Sequence, residues 1–160
     1  MIAGKTAALL GASMAIGAIV GGADDRTVAA FGECGRLLGR AFQIQDDVLG
    51  IWGVAGVTGK PVADDIRSRK RSFPVAWAFE HLQGAAARDM AEIYRSETIT
   101  EADVDAVVAI LNEAGAPEVA METATRWADA AVELLAPLTL EVERRADIEA
   151  IAAFFVQRAS

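Results

Sequence analysis

Apolar residues recur at helical spacing along most of this 160-residue chain. One clear case lies between positions 31 and 49, where three- and four-residue steps mark a single helix face. The residues on that face are Phe31, Cys34, Leu38, Phe42, Gln45 and Leu49. No stretch of useful length alternates as a half-buried strand would. We therefore predict an all-α fold of six to eight helices.

Glycine, proline and capping residues divide the helices. Residues 2–20 form the first predicted helix, which Gly21-Gly22 ends, and Asp24 and Asp25 cap a second helix over about residues 26–51. A Gly-rich loop is predicted over residues 52–65. Further helices are predicted at 74–82, 85–96, 101–114, 118–134 and 138–158, the last with a break near Arg145. Because no long linker interrupts the chain, residues 1–160 are predicted to form a single domain.

Charge and cysteine content exclude several classes of function. The formal net charge is −8, which argues against a nucleic-acid surface. The single cysteine, Cys34, rules out a disulfide within the chain and is predicted to be a small core residue. One histidine and one cysteine cannot build a zinc site, and His81 is predicted to lie on the surface near a helix end.

The segment from Ala7 to Ala23 carries no charge and is rich in Ala and Gly. Its length is at the low end for a membrane span and its hydrophobicity is modest, so we predict a buried helix and no membrane span. Small side chains on such a helix either let a neighbouring backbone approach closely or line an apolar cavity. With no targeting signal visible, the cytoplasm is the expected location.

Two adjacent carboxylates, Asp46 and Asp47, lie inside an apolar helical run. Burying them is costly without a cation, and paired carboxylates are typical ligands of magnesium bound to a phosphate. Gln43 lies three and four residues earlier, on the same helix face. A pair of Asp residues that merely caps a helix is the alternative.

Lysine is rare in this chain, which has twelve arginines but only the lysines Lys5, Lys60 and Lys70. Lysine is a compact point charge suited to phosphate oxygens, and arginine is not its equivalent. Lys60 lies in the predicted loop and Lys70 in the basic stretch that follows it, so the two lysines flank Asp65. A solvated charged loop is the alternative interpretation.

Three motifs together resemble the C-terminal half of the trans-isoprenyl diphosphate synthases, or polyprenyl synthetases. They are "GKTAAL" at 4–9, "GRAFQIQDDVLGIWG" at 39–53 and "GKPVADDIRSRKRSFPV" at 59–75; the ending "IAAFFVQR" is also similar. The resemblance implies an isoprenoid-synthase-type helical bundle, here truncated, that uses Mg²⁺ to transfer the prenyl group of an allylic diphosphate onto isopentenyl diphosphate, with release of the allylic diphosphate group.

The resemblance also implies roles for individual residues, carried over by position. It implies magnesium ligands at Asp46, Asp47 and Asp65. It implies contacts with the allylic diphosphate at Lys5, Thr6, Gln43, Lys60 and Lys70. Among these it implies that Lys5, Thr6 and Lys60 are catalytic.

The chain departs from the family pattern in two ways. The second Asp-rich motif ends in Gly50 where the family has Asp, and either Asp64 or Asp65 is a candidate replacement. The first Asp-rich motif is absent. The chain is therefore expected to be either a fragment of a longer synthase or a subunit whose site is completed by a homodimer or by a heteromer with a complementary N-terminal half. A non-catalytic diphosphate-binding or interaction subunit and an ionising enzyme of the terpene-cyclase type are the alternatives, and product chain length is not readable.

Overall fold

A computed structural model describes residues 6–53 and 62–157 of the chain. These residues form eight helices and no strand, which confirms the predicted all-α class. The helices are α1 (Thr6–Val20), α2 (Asp25–Trp52), α3 (Asp64–Arg67), α4 (Phe73–His81), α5 (Gly84–Arg95), α6 (Glu101–Glu113), α7 (Ala116–Glu133) and α8 (Val142–Gln157). Within the described ranges, no helix is both long and apolar enough to cross a bilayer.

Local capping signals set several of the helix ends. After α1 the backbone turns at Gly22, whose φ of 76° is easily adopted by glycine. At the start of α2 the Asp24 carboxylate accepts a hydrogen bond from the Thr27 amide at 2.8 Å. Thr100 and Asp103 form a reciprocal capping box at the start of α6. These ends confirm the predicted boundaries.

Two sequence predictions about local structure are wrong. Asp64 and Asp65, predicted to end a loop, instead open helix α3, because Ala63 turns the chain with a φ of 59° and the two acids favour a helix N-terminus. The predicted break near Arg145 is absent, because α8 runs from Val142 to Gln157 with no Pro or Gly inside it.

The chain divides into two compact units. Unit 1 comprises residues 1–45 and 122–160, and unit 2 comprises residues 46–121. Helices α2 and α7 each contribute to both units. The single-domain organisation stays a prediction.

Unit 1 is built on a close approach of α1 and α2. A Cβ added at Gly35 would lie 2.5 Å from the Leu10 backbone oxygen, and one at Gly39 would lie 2.5 Å from the Cα of Ala7. Only glycine allows two helix backbones this near to each other. This confirms one of the two predicted roles of the small-residue helix, the close approach of a neighbouring backbone. The predicted burial of that helix is wrong, because only the face that meets α2 is covered and Ala7 and Gly11 are the buried residues of α1.

The apolar core of unit 1 forms between α2, α7 and α8. Its buried members include Cys34, Leu38, Ala131 and Ala152. Cys34 is fully buried, and burial raises the pKa of its thiol to about 11. Cys34 is therefore the predicted core residue, protonated and shielded from solvent.

Unit 2 has its own core, which holds the end of α2 against α3 to α6. Its fully buried side chains include Ile51, Ile66, Val75, Met90 and Leu111. The indole nitrogen of Trp52 also donates a hydrogen bond to Asn112 at 2.9 Å. The last turns of α2 and the short helix α3 are thus held in one packed unit.

Candidate functional site

Asp47 reaches into unit 2 from helix α2 and is 97% buried, with a relative exposure of 3%. One of its carboxylate oxygens accepts a hydrogen bond from the Phe73 amide at 2.8 Å. Phe73 is the first residue of α4, so Asp47 places negative charge at the positive end of that helix. Its other oxygen lies 3.0 Å from the Lys70 ammonium.

Asp65, on helix α3, forms an ion pair with the same ammonium group. Its carboxylate is buried and lies 2.8 Å from Lys70 Nζ. The Lys70 backbone amide also donates to the Asp65 carbonyl at 2.8 Å, which ties the two residues together through the turn that follows α3. Two buried acids from different helices therefore share one ammonium group.

Burial and charge act in opposite directions on the pKa values of Lys70 and Asp65. Burial alone lowers the pKa of Lys70, but its hydrogen bonds to Asp65 and Asp47 and their charges outweigh burial, so the pKa lies above the ordinary value. Burial also raises the pKa of Asp65; Lys70 offsets part of this rise, and the charges of Asp47 and Asp46 add to it. The Lys70 ammonium is thus kept charged by two buried carboxylates, and these three residues form the Asp65–Lys70–Asp47 cluster.

The adjacent acids of α2 differ in environment. Asp47 is buried, whereas Asp46 is exposed. The sequence pattern placed both carboxylates inside an apolar run, but on a helix consecutive residues point about 100° apart, so one can face the core while the other faces solvent. Lys70, whose side chain is partly exposed, is a cation of the kind that the pattern required beside Asp47.

Thr6 and Gln43, two predicted diphosphate contacts, meet within unit 1. The Thr6 hydroxyl donates a hydrogen bond to Gln43 Oε1 at 3.0 Å, between the first turn of α1 and the middle of α2. The glycine-mediated approach of these two helices brings the pair together. The predicted roles of Lys5 and Lys60 lie outside the described residues.

Two buried hydroxyls of unit 2 were not singled out by the sequence. Ser72 and Tyr94 each bury their side-chain oxygen without a hydrogen-bond partner within the described chain. Ser72 precedes the amide that Asp47 caps, and Tyr94 experiences the charge of Asp65. No local motif marks them, because tertiary packing alone brings them near the acids.

Tyr94 is the single tyrosine of the chain, so its ionisation can be followed by ultraviolet absorbance. Burial, with a contribution from the Asp65 charge, raises the pKa of its phenol to about 12. We expect tyrosinate to form near pH 12 in the folded chain and near its ordinary value of 10.0 in concentrated urea. Because the unfolded state loses this proton first, stability falls as pH rises between the two values. A folded-state midpoint near the ordinary value would contradict this burial.

The described residues fit a magnesium ion through a small donor set. No three His, Cys, Asp or Glu side chains of residues 6–53 and 62–157 come together as a ready-made metal cage. Magnesium does not require one, since it commonly keeps several waters and uses one or two carboxylates plus substrate phosphates. Asp47 and Asp65 are two buried carboxylates already held around a cation, the Lys70 ammonium.

Comparison with known proteins identifies the family of this chain. The polyprenyl synthetase family model matches residues 1–111. Geranylgeranyl diphosphate synthase of Mycobacterium tuberculosis is 44% identical over 136 residues, which is 84% of this chain and 39% of that protein.

Solved structures show the same similarity. The crystal structure of a polyprenyl synthetase from Streptomyces coelicolor matches with a TM-score of 0.87 and 37% identity, covering 94% of this chain and 46% of that one. A geranylgeranyl pyrophosphate synthase from Corynebacterium glutamicum, in complex with isoprenyl diphosphate and magnesium, matches with a TM-score of 0.77 and 27% identity over 89% of this chain and 41% of that one.

The chain spans about half the length of the relatives it matches. Within that half, the family model covers more than two thirds of the residues, and the fold agrees over nearly all of them. The chain therefore belongs to the polyprenyl synthetase family and is a homologue of the trans-isoprenyl diphosphate synthases.

Proposed function

We propose that this chain supplies part of a prenyl-transfer site that binds an allylic isoprenyl diphosphate for elongation with isopentenyl diphosphate. Asp47 and Asp65, with Asp46 beside them, would hold Mg²⁺. Lys70 would pair with the diphosphate. Thr6, Gln43, Lys5 and Lys60 stay predicted diphosphate contacts.

The observation that carries this proposal is the shared ammonium in unit 2. Asp47 and Asp65 lie 3.0 and 2.8 Å from Lys70 Nζ, although α2 and α3 are separated by the 53–63 segment. Two buried carboxylates that converge on one point from two helices form a donor set that suits a divalent cation bridging to a diphosphate.

The proposed chemistry of these residues is neutralisation of the negative charge of the diphosphate. Bound Mg²⁺ would neutralise diphosphate and so make it a better leaving group. Asp47 and Asp65 hold their carboxylates in fixed positions, because the Phe73 amide and the Lys70 ammonium orient them. Lys70, freed in part from the acids by a metal, would offer its positive charge to the departing phosphate oxygens.

A second polypeptide, or a second copy, is proposed to complete the site. Helix α1 leaves large apolar side chains in solvent, with relative exposures of 59% to 83%. They are Leu9, Ile16, Ile19 and Val20. Several large apolar side chains exposed along one helix are typical of a face that another protein surface covers.

Replacing Asp47 by asparagine tests the metal role at nearly constant shape. We expect Mg²⁺-dependent binding of inorganic pyrophosphate to weaken at least about tenfold, a loss of ~1.4 kcal/mol, because a charged ligand is lost. Isothermal titration calorimetry measures this. The matched control is Asp89→Asn, an exposed acid on α5, which should leave the affinity unchanged.

An unaltered pyrophosphate affinity in the folded Asp47→Asn variant would contradict the proposal.

Incubation of the purified chain with Mg²⁺, an allylic diphosphate and isopentenyl diphosphate tests turnover. Chain elongation supports the transferase. Pyrophosphate affinity without product supports a diphosphate-binding subunit, and cyclic hydrocarbon formed without isopentenyl diphosphate supports a cyclase.

A further inference from the structure

The short helix α3 lies between two residues with unusual backbone angles. Among the residues that the structure describes, Ala63 and Arg69 are the two with positive φ that are not glycine, at 59° and 53°. Residues with a Cβ rarely adopt this left-handed conformation, and glycine is the usual residue there. Arg69 directly precedes Lys70, so its backbone angles set the direction in which the chain presents the Lys70 side chain.

Arg69 occupies the position that ends α3. The Lys70 amide donates a hydrogen bond to the Asp65 carbonyl at 2.8 Å. The Arg69 amide donates to the Ile66 carbonyl at 2.9 Å. With Ser68 as the C-cap, these two bonds form a Schellman motif, in which the residue after the C-cap is left-handed and is usually glycine. Arginine therefore holds a glycine position, in the turn that leads from Asp65 to Lys70.

The Arg69 side chain is bound to a different helix. Its guanidinium donates a hydrogen bond to the Ser96 carbonyl at 2.5 Å. Ser96 is the C-cap of α5, where the helix dipole favours a positive charge. The Ser96 hydroxyl lies within hydrogen-bond distance of the Ile93 and Thr98 carbonyls, at 2.8 and 2.6 Å. Arg69 therefore connects the turn before Lys70 to the fixed carboxyl end of α5.

We propose that Arg69 is a positioning residue of the candidate site. Its bond to the end of α5 holds residue 69 in the left-handed conformation, and that conformation places the Lys70 ammonium between Asp65 and Asp47. Arg69 acts through Lys70 and not on the ligand. This inference rests on the proposed function, because Lys70 is the residue proposed to pair with the diphosphate.

Two variants of position 69 separate positioning from direct contact. Calorimetry with Mg²⁺ and inorganic pyrophosphate should show an affinity about fivefold weaker or more for Arg69→Met. Without its bond to Ser96, a residue with a Cβ leaves the left-handed conformation, and the binding-competent fraction falls. Arg69→Gly loses the same guanidinium but adopts positive φ readily, so its affinity should lie within about twofold of that of the unaltered chain. The matched control, Arg71→Met, removes an exposed arginine two positions later and should bind normally.

A double-mutant cycle tests the dependence on Lys70 without metal or ligand. In EDTA, Arg69→Met should lower the midpoint of thermal unfolding by several degrees. In a Lys70→Met background the same change should lower it by less, because no ammonium is left to place between the acids. Equal losses in both backgrounds would overturn the proposed role, since they would show that Arg69 stabilises the end of α5 alone.

The outcomes separate this inference from the proposed function. If Arg69→Met binds as tightly as the unaltered chain while Asp47→Asn does not, the positioning role is overturned and the proposed function stands. If Arg69→Gly is as weak as Arg69→Met although both are folded, the guanidinium acts on the ligand itself, and the positioning role is again overturned. If the unaltered chain shows no Mg²⁺-dependent pyrophosphate binding, the proposed function falls, and the role of Arg69 falls with it.

Discussion

Gly35→Val is expected to destabilise unit 1 by about 3 kcal/mol or more, at the upper end of what overpacking costs. A Cβ at this position would lie 2.5 Å from the Leu10 backbone oxygen and 2.8 Å from its carbonyl carbon. Backbone atoms inside a helix cannot move aside as a flexible side chain can. The helices α1 and α2 must therefore separate, and the hydrogen bond between Thr6 and Gln43 is expected to be lost with them.

Urea unfolding followed by circular dichroism measures the loss, and Gly17→Ala is its control. Gly17 is a helical glycine of α1 with open space around its Cβ position. There alanine should leave stability unchanged or raise it by up to ~1 kcal/mol. A Gly35→Val variant as stable as the unaltered chain would refute the close approach of α1 and α2.

Lys70→Met is expected to lower the free energy of unfolding by about 2 to 3 kcal/mol in metal-free buffer. Removing one partner of a fully buried ion pair costs ~3–5 kcal/mol, and the 30% exposure of the Lys70 side chain reduces this loss. Methionine preserves most of the side-chain volume, so the loss reports the two buried carboxylates left without their counter-charge.

Two comparisons identify the cause of that loss. In Lys70→Met/Asp65→Asn, one buried charge is removed, and part of the lost stability should return. Arg144→Met breaks an exposed pair with Asp147 at 3.0 Å, which should cost under ~1 kcal/mol. Chemical unfolding in EDTA measures all three variants, and a Lys70→Met effect no larger than that of Arg144→Met would show that Lys70 does not stabilise the acids.

Much of the fold follows from local signals that a single sequence displays. The ends of α1 and α6 were predictable because Gly22 accepts a positive φ and Thr100 with Asp103 satisfies free amides within one turn. The short helix α3 was not, because four residues carry too little periodicity to distinguish a helical turn from a loop.

The acids of the candidate site were visible in the sequence, but their arrangement was not. Motif resemblance pointed to Asp47, Asp65 and Lys70 one by one, and it also pointed to Asp46, which the structure leaves exposed. Ser72 and Tyr94 carried no motif at all. Their burial beside the acids depends on α4 and α5, which lie far along the chain from α2.

The sequence alone predicts the helical class and the helix ends, because interactions within a few positions of the chain decide them. The residue types that suit a diphosphate can also be read directly from the sequence. The sharing of Lys70 by Asp47 and Asp65, and the hydrogen bond of Arg69 to the end of α5, arise between segments that are distant in sequence. Such contacts depend on how the helices pack in three dimensions. A local sequence pattern does not determine which distant side chain will occupy a given volume.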